Sequence, residues 1–448
     1  PDEPDRINPM QSTNSVSTQV EGHIFLPLME YDPSDLELKP ILVEGPPKSS
    51  EFGDKGSRFE YRIADKAVWA DGTPITAEDY LFTLKAALNP HTNANAWRGF
   101  LSQIDSVALD PEDNRKFEVF LDESYLLALP ITCNFNIYPK HFYDPKGLLD
   151  EISLGDIRRD TTIEQARQFA EDFNDVSYSR DKVLGSGPYK LSSWTAGQSL
   201  ILEKIDNWWG EDIYTANPDK LVYVIVPDEA TAINMIKTGE IDILSAISPN
   251  DFAEMRDDTS LQGLSFETPS ILQYYYLSLN NDDIILQDVN VRKALAHLLN
   301  LDELASVLMA DLAKPIAGPI HPSKTYFDPS LKPVDYDIER SKELLQAAGW
   351  EDTNGDGTVD KMLDGQRKEL DLNILVTQRE LGKNLALIFK ENAKQAGINI
   401  NVVSQEFGEI LRQIGARDFD IAAMATRQSI GIDDMYQGWH TSSIGPDG

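Results

Sequence analysis

The oxygen donors of DTNGDGTVD, residues 352–360, are spaced for metal chemistry. Asp352, Asn354 and Asp356 take the first, third and fifth places of a calcium loop, with Thr358 and Asp360 continuing the series. Gly357 supplies the sharp turn and Val359 the apolar place, whereas the position due a bidentate glutamate holds Leu363, and Asp364 comes one residue late. The same run of turn formers also reads as a surface turn. Calcium there would staple the loop and not touch a solute. Catalytic patterns are missing from the sequence: no G-x-S-x-G elbow occurs, and none of the 6 histidines lies in HExxH. The single cysteine, Cys133, reads as a buried structural thiol. GSGP, residues 185–188, is followed by no GK[ST], and its proline removes an amide that a phosphate would need.

With 448 residues the chain is long enough for two or three lobes, each with its own core. Its 74 acidic and 40 basic residues give a formal charge of −34, which disfavours nucleic acid and anionic lipid as partners. Carboxylate pairs at glycosidase spacing carry little information in so acidic a chain. No run reaches the roughly 18 apolar residues of a spanning helix. The opening PDEPDRINP reads as the start of a mature lobe whose leader, with a lipid-bearing cysteine, has been removed, and HTSSIGPDG reads as the end of a truncated fragment.

The elements come next. YDIERSKELLQAAGW, residues 336–350, is an amphipathic helix with Asp337 at its N-cap and Gly349 at its C-terminal stop. In VWADGTPITAEDYLFTLKAAL, residues 68–88, Thr76 caps a helix, Asp79 reaches back, and Leu81, Leu84 and Leu88 mark one face. Residues 185–209 form a hairpin that ends in Trp208 and Trp209. Residues 226–244 give a helix capped by Asp228 and stopped by Gly239, then a strand over 241–244. YYYLSLNN, residues 274–281, is a strand on which Tyr274 and Tyr276 share a face. A helix follows at 288–300, with Val291, Leu295 and Leu298 toward the core. From 371 to 424 strands and helices alternate, which implies parallel pairing.

These segments, in this order, resemble the family 5 extracellular solute-binding proteins of ABC transporters, of the oligopeptide and dipeptide type. The resemblance implies an α/β, periplasmic-binding-protein-like fold with two large lobes, a hinge and a smaller middle lobe. Lobe I would comprise residues 1–34 and 180–227, the middle lobe 35–179, and lobe III 228–448. It further implies a monomeric receptor at the periplasm or cell surface, lipid-anchored in its precursor, that closes over a peptide or similar polar solute and presents it to a membrane permease. No catalysis and no required cofactor belong to that role. Thr13, Asn14 and Ser15 would line the mouth of the ligand cleft, Trp97 would be an aromatic of the middle lobe, and Tyr274 and Tyr276 would lie beside the cleft. One departure concerns the W-x-x-D-Y segment of peptide binders, whose aspartate pairs with a peptide ammonium; TRQSI, residues 426–430, stands there instead. Arg427 then suits a carboxylate, Gln428 and Ser429 suit amides or sugars, and Asp433 or Asp434 could take the acidic role. Oligosaccharide or metal-chelate cargo, or a secreted acidic hydrolase, are the alternatives.

Overall fold

The structure, a computed structural model, describes residues 3–245, 247–433, 435, 439 and 440. They fall in two compact units, one ending at Leu244 and one starting at Ser245.

In the first unit every strand pairing is antiparallel. β1 (Met29–Tyr31) pairs with β2 (Leu38–Pro40). β3 (Lys48–Phe52), β4 (Gly56–Arg62), β5 (Ser106–Leu109) and β6 (Lys116–Leu121) form a sheet in the order β3-β4-β6-β5. β7 (Tyr189–Thr195), β8 (Ser199–Lys204) and β9 (Lys220–Val224) form the hairpin sheet. β6 shows the two-residue period of a half-buried strand: Phe117, Val119 and Leu121 enter the core and their neighbours stay out. One continuous core runs from Ile7 to Trp208.

The helix Ala77–Leu88 is held at its start by Asp79, whose Oδ2 accepts from the Thr76 amide at 2.8 Å and whose Oδ1 accepts from the Lys140 amide at 2.9 Å. Its burial goes further than a single leucine face, since Tyr80 and Phe82 through Leu88 are all buried. A helix covered on several sides needs no polar face, so the leucine periodicity shows only part of its packing.

The glycines of GSGP serve close packing. A Cβ on Gly185 would lie 2.1 Å from the Ile24 carbonyl oxygen, and one on Gly187 2.4 Å from that of His23. Trp208 and Trp209 both donate their indole N–H to the Ser186 carbonyl, at 2.8 and 3.1 Å, which makes that pair part of the scaffold.

Past Thr238, the helix Glu229–Thr238 stops at Gly239, with φ +75°, as the sequence indicates. Residues 241–244 form no strand, and Ile243 is 80% exposed. The apolar pattern there finds no neighbouring strand to pair with.

The second unit contains β10 (Gln273–Leu279), β11 (Asp360–Leu363), β12 (Gln366–Glu369), β13 (Asp371–Thr377), β14 (Asn399–Gln405) and β15 (Ile421–Arg427). Its main sheet runs β10-β15-β13-β14, with β13 parallel to both β14 and β15, as the alternation of elements implies, and β10 antiparallel on β15. One face, through Leu277, Ile374 and Ile421, packs in a core shared with the helices Val289–Ala296, Ile338–Ala347 and Glu380–Gln395. The other, through Leu375, Ala422 and Met424, meets Ile410 and Ile414 of the helix Phe407–Gly415. The Ile338–Ala347 helix is capped as its sequence suggests: Asp337 accepts from the Arg340 amide at 2.8 Å. Gly349 at φ +80° completes a Schellman turn, in which the Trp350 amide donates to Leu345 O and the Gly349 amide to Gln346 O, both at 2.9 Å.

Candidate ligand-binding surfaces

Two surfaces, one in each unit, combine aromatic faces with polar groups. In the first unit, a recess of about 370 Å³ is lined by Trp97, Phe100, Phe135, Glu30, Asn134 and Asn136. Trp97 sits in the short helix Asn95–Leu101, half-buried, with its ring edge-on to Phe135 at 5.8 Å between centroids. A backbone bridge between Pro27 and Asn136 fixes the wall opposite, and Asn134 Nδ2 donates to Met29 O at 3.0 Å. The Tyr214 hydroxyl donates to Glu30 Oε2.

In the second unit, Tyr274 and Tyr276 stand on one face of β10, their rings 5.5 Å apart, and burial pushes both phenols above their ordinary pKa. Register pairs Tyr274 with Thr426, Tyr276 with Met424 and Gln273 with Arg427. Opposed residues on antiparallel strands share a face, so Arg427 lies on the side of Tyr275, away from the Tyr274–Tyr276 pair. Gln428 returns to the tyrosine side: its amide donates to Leu272 O at 2.7 Å, and its Nε2 is buried without a hydrogen-bond partner. Ser429 takes part through its backbone. The Lys324 ammonium, with only 2% of its side chain exposed, donates to the carbonyls of Ser429, Ile430 (2.8 Å) and Gly431 and lies 3.8 Å from Asp433 Oδ2. Desolvation lowers the Lys324 pKa, and Asp433 partly restores it. Asp433 also accepts from the Tyr326 hydroxyl at 2.8 Å. Its carboxylate is therefore already matched by a cation of the same chain. Asp434 lies outside the described residues.

Thr13, Asn14 and Ser15 form the start of the Ser15–Glu21 helix. Asn14 accepts from the Ser17 amide at 2.7 Å and donates to Glu3 O at 3.0 Å, while Thr13 Oγ1 donates to Asp5 at 3.0 Å. Ser15 is exposed. Cys133 is buried, its thiol pushed up to about 12 by desolvation.

The loop at 352–360 is closed by its own hydrogen bonds. Asp352 accepts from the amides of Gly355 (2.6 Å) and Gly357 (3.0 Å), and Asp356 accepts from the Thr358 amide (2.9 Å) and from Asn354 Nδ2 (2.6 Å). Asp360 opens β11, is bonded to Thr353, and pairs with the Arg367 guanidinium at 2.9 Å. Among the described residues, no group of three or more His, Cys, Asp and Glu side chains converges as a metal site.

The family model described as bacterial extracellular solute-binding proteins, family 5 middle, matches residues 37–446. The chain belongs to that family. One relative, the oligopeptide-binding protein AppA of Bacillus subtilis, is 25% identical over 446 residues, which is 99% of this chain and 75% of the relative. A solved structure of AppA from Bacillus subtilis, in complex with a nonapeptide, superposes with a TM-score of 0.66 at 24% identity, covering 99% of this chain and 81% of that one. The structure of NikA from Brucella suis in complex with Fe(III)-EDTA gives 0.74 at 20% identity, covering 94% and 77%. The family 5 fold implied by the sequence is thus the fold of this chain. No helix among the described residues is long and apolar enough to cross a membrane.

Glu30, Phe100, Phe135 and Lys324 have no motif to mark them in the sequence. Glu30 and Lys324 are single charges in a chain rich in them, and Phe135 joins the recess only because the segment after Cys133 folds back on Pro27.

Proposed function

We propose that this family 5 protein is the receptor of an ABC importer and that its cargo is a peptide or a closely similar polar solute. The observation that carries the cargo class is the presence, in each unit, of aromatic residues beside polar groups with hydrogen-bonding capacity left: Trp97, Phe100 and Phe135 with Glu30, one of whose oxygens accepts from Tyr214, and Tyr274 and Tyr276 with Gln428. Such surfaces accept a chain of varied side chains while a few polar groups fix its orientation. The names of AppA and of its nonapeptide complex support the same reading. Binding energy here shifts a conformational equilibrium that the permease senses, with no reaction on the solute.

The reading includes no catalytic step, in keeping with the name of AppA as a binding protein. The reading carries with it a periplasmic or cell-surface location, a lipid-anchored precursor, a monomer, and the division into lobes at 1–34 with 180–227, 35–179 and 228–448.

Native mass spectrometry of the purified protein tests the cargo, because a receptor retains what it captured. Bound masses matching peptides, together with calorimetric binding of synthetic peptides recovered unchanged, are the expected result. A retained metal chelate or oligosaccharide would redirect the cargo within the same family, and cleaved peptide products would overturn the receptor reading.

A further inference from the structure

We infer that the recess in the first unit is a subsite for a cationic group of the solute, a guanidinium or an ammonium; this deepens the solute-binding reading above and rests on it. Three aromatic rings, Trp97, Phe100 and Phe135, line the recess, and a ring face attracts a cation through its quadrupole. Glu30 is the one ionisable residue of that lining. In so acidic a chain an exposed carboxylate is common, and charge alone would not single it out. What distinguishes Glu30 is its setting. Lys39 stands directly across from it on β2, yet the Lys39 ammonium pairs with Asp35 at 2.7 Å and Glu37 at 3.3 Å. Glu30 is left without an ion-pair partner among the described residues, while Tyr214 holds one of its oxygens in place. Asn134 gives one N–H to Met29 O, which orients its amide, and its side-chain oxygen is a further acceptor.

The lining combines aromatic rings, one carboxylate and the side-chain amides of Asn134 and Asn136, and holds no cation of its own. A carboxylate would be repelled, and an apolar group would use the rings but leave Glu30 idle. A long side chain that ends in a guanidinium uses both, stacking its plane on the aromatics and bonding the carboxylate through paired N–H groups. The expected gain over a neutral group of the same shape is roughly tenfold.

The test uses the whole chain labelled with 5-fluorotryptophan, with the Trp97 resonance assigned by its loss in Trp97→Phe. Butylguanidinium should shift that resonance saturably, butylurea, its neutral counterpart, should require roughly tenfold more, and Glu30→Gln should shrink the difference to what the rings alone supply. Glu30 is exposed, and a melting curve for the variant separates lost binding from lost folding. Equal response to the two probes in the unaltered protein overturns the subsite. A second arm measures, by calorimetry, tripeptide pairs that differ only in arginine against citrulline. Tighter binding of the arginine member supports the subsite. If no peptide binds while butylguanidinium is still preferred, the peptide reading falls and the subsite stands. If both members bind equally, the subsite falls and the peptide reading stands.

Discussion

At the end of the Ser15–Glu21 helix, the Glu21 carboxyl is 3% exposed, accepts from Ser12 Oγ at 3.0 Å, and leaves Oε1 without a hydrogen bond of ordinary geometry. Burial raises its pKa to about 7, against the opposing hydrogen bonds of Ser12 and Asn8. The folded protein therefore holds a proton on this group that the unfolded chain releases near the ordinary value of 4.5. For a raised carboxyl the sign is fixed: its stabilising effect is full below that lower value, declines as pH rises toward 7, and is gone above it. The change amounts to on the order of 3 kcal/mol. Glu21→Gln, which carries no ionisable proton, should unfold at higher denaturant than the unaltered protein at pH 8 and show little difference at pH 5. Denaturant titrations across that range check it, and two curves that stay parallel would remove Glu21 as the cause.

What sequence could show at the scale of elements depended on how local the cause is. Caps were legible because an N-cap and a C-terminal glycine act within a few residues, as Asp337 and Gly349 do. Face sharing by Tyr274 and Tyr276 follows from the two-residue period alone. The position of Arg427 on the other face needed the register of β10 against β15, which no single segment encodes. The recess needed more still, because Glu30, Trp97 and Asn134 come from three separate stretches of chain. The 352–360 loop shows how a local pattern can carry two meanings. Its spacing suits calcium, yet backbone amides satisfy Asp352 and Asp356, and Arg367 neutralises Asp360. A site with a dissociation constant one-hundredth of the added calcium would contribute about 2.7 kcal/mol. We expect the melting midpoint to move by less than about 1 °C between excess chelator and millimolar calcium, since the loop is already closed. A rise of several degrees with calcium would show that the ion binds the folded protein and would overturn this expectation.

Over the whole molecule, the formal charge of −34 should act on the rate of capture more than on its specificity. A field of one sign draws an oppositely charged solute toward the surface and raises its encounter rate, and dissolved salt shortens the reach of that field from about 10 Å at 0.1 M to about 3 Å at 1 M. Specificity at the recess depends instead on contacts within a few ångströms, which salt screens less. The two effects separate in one measurement. Stopped-flow association of the arginine tripeptide should slow by about tenfold between low salt and 1 M, while the citrulline tripeptide, with one positive charge fewer, should slow less. Glu30→Gln removes one charge of 74 acidic residues, so it should leave the association rate of the arginine peptide and its salt dependence nearly unchanged while raising its dissociation rate. If Glu30→Gln instead slowed association and left dissociation untouched, the carboxylate would be acting as part of the general field and not as a contact in the recess.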